Sequence, residues 1–83
     1  MDNRIGLVGI VVEDLKHAPE RVNAVLSEFS DIIIGRMGLP YKKRAVSVIS
    51  VVVDGTNDRI GAMCGKIGRI ENVSVKSVLT KAL

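Results

Sequence analysis

The chain has 83 residues, twelve Lys/Arg against nine Asp/Glu for a net charge of +3, and one cysteine, Cys64. That length accommodates one small domain over residues 1–83 and excludes two; a single thiol excludes an internal disulfide and fits a reducing cytoplasm. The charge is too mild for a dedicated nucleic-acid binder, no apolar run approaches the ~20 residues of a membrane span, and Met1-Asp2-Asn3-Arg4 lacks the charged and apolar regions of a signal peptide.

Arg4 to Val12 predicts a first strand, rich in β-branched residues that suit a buried pleated surface. Glu13 to His17 ends it. Pro19 fits the first turn of a helix, where its missing N–H has no partner to lose. Val22, Val25, Leu26 and Phe29 recur at i, i+3, i+4 and i+7, an apolar helical stripe. Asp31 punctuates, and Ile32 to Met37 reads as a second strand. Gly38 to Arg44 is expected to be a connecting loop, Ala45 to Val53 a third strand. Asp54-Gly55-Thr56-Asn57-Asp58 carries turn and cap chemistry, with Thr56 or Asn57 able to accept from orphan helix N–H groups. Ile60, Met63, Cys64, Ile67 and Ile70 follow at helical spacing. Glu71-Asn72 breaks that helix, and Val73 to Thr80 alternates as a fourth strand.

The order β-α-β-β-α-β predicts an α+β, ferredoxin-like domain. Right-handed crossovers put both helices on one face of a four-stranded antiparallel sheet of order 4-1-3-2. The other face of such a sheet should alternate to polar residues. In the two central strands it does not: Ile5, Leu7 and Val11 oppose Val8, Ile10 and Val12, while Ile49, Val51 and Val53 oppose Val46, Val48 and Val52. A second apolar face usually marks an interface. A homo-oligomer is therefore expected, a dimer or tetramer, with Leu7, Val8, Ile10, Val48, Ile49 and Val51 as candidate interface residues. Gly61, Gly65 and Gly68 run through the second helix and weaken it by about 1 kcal/mol each relative to Ala. Close packing against the sheet or a symmetry mate is the expected compensation, which adds Gly61 and Gly65 to the interface set.

These stretches resemble a known family. Arg4-Ile5-Gly6 with Val8 to Asp14, Asp31-Ile32-Ile33-Ile34-Gly35-Arg36-Met37-Gly38, Ser47 to Ser50 with Val53-Asp54-Gly55-Thr56, Gly61 through Gly68, and Val73 to Ser77 are similar to small proteins described as iron-only hydrogenase system regulators. Those look like stand-alone ACT-like domains, related in pattern to the regulatory half of nickel-responsive repressors. The resemblance implies a regulatory or ligand-sensing role, with a small-molecule effector near the loop after the first strand and a protein partner to regulate. The ribbon-helix-helix segment of those repressors has no counterpart before Arg4. A nickel or zinc site needs several His or Cys ligands; His17 and Cys64 are the only ones, on different elements, so neither a metal nor another cofactor is expected.

The residues themselves offer three candidate binding features. Arg36, Tyr41, Lys42, Lys43 and Arg44 join cations to the chain's one tyrosine, the minimum for gripping an anion or a nucleic-acid backbone, although a charge run more often makes a solvated loop. Gly35 and Gly38 could permit a close subunit or ligand contact, or mark a bulge. Glu13 and Asp14 end the first strand where the resemblance places an effector, although the residues by themselves favour a polar turn. Cys64 falls on the apolar stripe as core, and His17 in an exposed loop. One histidine and no nucleophile-base-orienter set argue against an enzyme. Three functions remain: a sensing regulator, an interaction module without ligand, or a weak nucleic-acid binder through the 36–44 loop.

Overall fold

In the computed structural model, which describes residues 3–80, strand β1 (Asn3–Val12) leads to helix α1 (Ala18–Glu28). A single 3-10 turn at Ser30–Ile32 then delivers the chain into β2 (Ile33–Tyr41). A second 3-10 turn at Lys42–Arg44 reverses it into β3 (Val46–Thr56), which runs directly into α2 (Asn57–Gly68) and returns as β4 (Val73–Leu79). The strands pair antiparallel in the order β2-β3-β1-β4, the predicted ferredoxin-like sheet.

Alternation along the strands puts Val8, Ile10 and Val12 of β1 and Ile49, Val51 and Val53 of β3 beneath the helices. There they meet Val22 and Leu26 of α1 and Ile60, Met63 and Ile67 of α2. Each such aliphatic side chain contributes about 1.5–3 kcal/mol on burial. This placement corrects part of the expected interface. Val8, Ile10, Ile49 and Val51 are 0–7% exposed, so they are core and cannot touch a second copy. Leu7 and Val48 lie on the opposite, helix-free face.

Two strands run past the ends expected from the sequence. The expected loop at 38–44 is mostly strand: β2 continues through Gly38, Leu39 and Pro40 to Tyr41, paired with Ile49, Val48, Ser47 and Val46. Proline is tolerated because β2 is an edge strand with one side unpaired. The reversal needs only Lys42–Arg44, closed by Ala45 in the left-handed region at φ 54°. β3 also outruns its expected end at Val53, since Asp54, Gly55 and Thr56 pair with Ile5, Arg4 and Asn3. Gly55 suits that position: a β-carbon would sit 3.0–3.2 Å from Ile32 side-chain atoms, closer than ordinary contact. Thr56 is the cap of α2, its hydroxyl accepting from Arg59 N–H at 3.2 Å.

Close packing against the sheet does not explain the α2 glycines at Gly61 and Gly65. Both are exposed, with nothing within 4 Å of the position a β-carbon would take. Where α1 ends beside α2, Phe29 is covered by Arg59, 4.9 Å from the ring centroid, and by Lys66 at 5.6 Å. Arg59 also pairs with Asp31 at 2.6 Å and Lys66 with Glu28. These exposed pairs are worth roughly 0–1 kcal/mol each; one joins α2 to the end of α1 and the other to the 3-10 turn that follows.

Candidate functional site

The end of β1 splits two adjacent carboxylates between two places. Glu13 N–H donates to Asn72 O at 2.9 Å, which ties the strand end to the turn before β4. The Glu13 side chain then lines a groove on the helix-free face. Asp14 turns the other way. Its Oδ1 accepts from the backbone N–H groups of Lys16 at 3.0 Å and His17 at 3.2 Å, closing the turn that launches α1. Those two donors are the main cause holding the Asp14 carboxyl below its ordinary range.

Asp14 thereby enters a cleft of about 120 Å³ with His17, Ala18, Arg21, Ile70 and Glu71. The cleft exists because β1 and β4 are neighbours. Val12 pairs with Val73, so whatever follows β1 meets whatever precedes β4. Asn72, in the left-handed region at φ 64°, makes the sharp exit from α2 that presents Glu71. A guanidinium, two carboxylates and an imidazole face a small volume with Ala18 and Ile70 as apolar wall. That set can grip a small zwitterion by both ends: Arg21 suits a carboxylate, Asp14 and Glu71 an ammonium. Among the described residues no group of three His, Cys, Asp or Glu is placed to hold a metal.

The other expected residues are dispersed. Arg36 sits at the helix side of β2 and donates to Asn23 Oδ1 of α1 at 2.8 Å, away from the 41–44 turn. Tyr41 and Arg44 come together with Glu13, Val11, Val48 and Ser74 around the groove on the open face, about 420 Å³ in volume. Lys42 and Lys43 are exposed on the reversal itself. Gly35 flanks a bulge in β2, where the register slips between Ile33 and Gly35. Gly38 pairs in mid-strand with Ile49, and neither glycine has a neighbour within 4 Å of a notional β-carbon. Cys64 is half-buried rather than fully core, and burial pushes its thiol pKa up.

His17, Arg21 and Glu71 are the cleft residues that sequence reasoning missed, His17 having been expected only as an exposed loop residue. Arg21 stands four residues after His17, on the same side of the first helical turns. Glu71 precedes β4, and the predicted sheet order already placed the start of β4 beside the end of β1.

Several solved structures resemble the chain. A protein from Thermotoga maritima described as uncharacterized, TM1266, is 40% identical, with a TM-score of 0.92 over 96% of this chain and all of that one. The ACT domain of a GTP pyrophosphokinase from Chlorobium tepidum is 18% identical, with a TM-score of 0.76 over 92% of this chain and 99% of its own. The C-terminal domain of MgtC from Mycobacterium tuberculosis is 10% identical, with a TM-score of 0.72 over 94% and 88%. The last two show the fold alone, an ACT-like one. No curated protein matches the chain. The TM1266-like family, described as "Iron-only hydrogenase system regulator, putative", matches residues 4–77, and with that match and the 40% identity to TM1266 the chain belongs to this family.

Proposed function

We propose that the chain is a regulatory domain that senses a small zwitterionic metabolite in the cleft between the β1–α1 turn and the α2–β4 turn, and that the regulated system is an iron-only hydrogenase. The observation that carries the sensing role is the convergence of Asp14, His17, Arg21 and Glu71 on one small volume. The ion pairs Arg59–Asp31 and Lys66–Glu28 involve none of these four side chains. Charged side chains gathered without mutual pairing are available to a ligand. The family's description as a regulator supports the role and names the system, and the ACT-like fold agrees with it.

A panel of amino acids, nucleotides and metal ions, scored by thermal shift, tests the sensing role. A bound ligand at 100 times its Kd stabilises by about 2.7 kcal/mol, and a small zwitterion is expected to do so. R21A and E71Q should abolish the shift while leaving the unliganded Tm close to wild type, because both side chains are exposed. No stabilisation by any member of the panel would favour the second reading, an interaction module without ligand. The observation favouring that module is the apolar helix-free sheet face.

A further inference from the structure

Leu7, Val11, Met37, Leu39, Tyr41 and Val78 are 37–72% exposed. By strand register they all occupy the face of the sheet without helices. They sit in rows across it. One row reads Gly35, Val52, Leu7, Val78; the next Met37, Ser50, Gly9, Lys76; the next Leu39, Val48, Val11, Ser74. Four strands ~4.8 Å apart and about ten residues long span roughly 19 by 30 Å. With side-chain relief that approaches the ~800 Å² per partner of a standard interface.

We propose that this face docks a second copy of the same chain, stacked sheet on sheet about a two-fold axis that runs along the strands between β1 and β3. Such an axis lays β1 over the partner's β3, and β2 over its β4. Each row then meets its own reverse, and Met37 comes over Lys76, whose methylene stem can lie along it. Val78 comes over Gly35, which has open space above it. Leu39 comes over Ser74, and Gly9 over Ser50 at the centre, where two small residues allow sheets ~10 Å apart to approach. Leu7 faces Val52, and Val11 faces Val48. The usual ~30° angle between stacked sheets shifts the outer strands by about one residue and leaves the central pairs in place.

Charge selects the same axis. Glu13 ends β1, and Arg44 precedes β3 at the same end of the sheet, both lining the open-face groove. Neither takes part in the ion pairs Arg59–Asp31 and Lys66–Glu28. With β1 over β3, the carboxylate of one copy comes to the guanidinium of the other, twice by symmetry. A two-fold axis across the strands instead stacks Lys76 on Lys76 and sends Glu13 to the Ile5 end. Like charges and an unpaired carboxylate disfavour that arrangement.

Sedimentation equilibrium of the full chain at micromolar concentration tests the docking. The expected mass is twice 8.9 kDa; a mass of 8.9 kDa overturns the proposal and leaves the face to a different partner. L7K and V78K alter exposed positions, so circular dichroism should stay wild type while the dimer dissociates. A dimer that survives both variants uses another surface and refutes the proposal. The charge swap tests the axis: E13R and R44E should each weaken association by about tenfold, the scale of one coupled interfacial charge pair. The double swap should restore it, and a double variant as weak as the singles refutes the axis. None of these readouts involves the ligand cleft, so the sensing role stands or falls separately.

Discussion

Two glycines in the central strands face the core, and their alanine variants should differ in a way the packing dictates. At Gly55 a β-carbon would lie 3.0 Å from Ile32 Cγ2 and 3.2 Å from Ile32 Cβ. Ile32 is β-branched, buried, and held in a 3-10 turn whose Ile32 N–H donates to Phe29 O at 3.0 Å. Its Cβ can retreat only if backbone moves. At Gly6 the closest approach is shorter, 2.5 Å, but to Leu79 Cδ2, the free end of a half-buried side chain that can rotate away, with Val53 Cγ2 next at 3.1 Å. Overpacking costs typically about 1–3 kcal/mol. Replacing Gly by Ala returns about 0.4–1 kcal/mol by restricting the unfolded chain. G55A should therefore lose about 1–2 kcal/mol, and G6A about 0–1 kcal/mol. At about 4–8 °C per kcal/mol for a domain of this size, G55A should melt about 4–16 °C below wild type. The assay is thermal unfolding followed by far-UV circular dichroism at one fixed protein concentration, because association would add its own contribution to Tm. A G55A protein as stable as wild type, or one more stable than G6A, would refute the packing reasoning.

T56A removes the hydroxyl that accepts from Arg59 N–H and should cost about 1 kcal/mol, read in the same melts; T56S should recover most of it. D14A should lower stability at neutral pH, because the folded carboxyl titrates below its ordinary value. A depressed folded pKa means that the contribution is present above the unfolded value near 3.8 and disappears as pH falls through the lower folded one. Wild type and D14A should accordingly converge in urea titrations between pH 4 and pH 2, and parallel curves there would disprove the linkage. For Cys64, alkylation should be slower than that of a free thiol at pH 8 and should keep rising where a free thiol has levelled off, since burial raises its pKa; unfolding in urea should erase the difference.

Of the four polar side chains that form the cleft, only Asp14 was legible as a site residue before the structure. Asp14 stood out as a strand-end carboxylate, and the turn it closes follows from its neighbours at 16 and 17. Arg21 and Glu71 did not stand out, since an arginine on a polar helix face and a glutamate after a helix look like ordinary solvated charges. Only the pairing of Val12 with Val73 carries Glu71 to Asp14, across 56 residues of intervening chain. The basic segment erred in the opposite direction. Arg36 and Arg44 are close in sequence, but alternation along β2 sends Arg36 to α1, while Arg44 goes to the other face.

Local chemistry determined much of this protein: where the helices start at Pro19 and Thr56, which stripe of each helix is apolar, and the ferredoxin-like order of the strands. Periods of 3.6 and 2 and the rules of chain crossover are enough for those. The tertiary structure alone decided which of two similar apolar faces the helices cover, because valine and isoleucine occupy both and period-2 alternation cannot tell one side from the other. It put Val8, Ile10, Ile49 and Val51 inside and left Leu7, Val48 and Val78 on the open side. The pairing of Gly6 with Val53 and Leu79, and of Gly55 with Ile32, was likewise beyond the sequence, since those contacts join residues far apart in the chain.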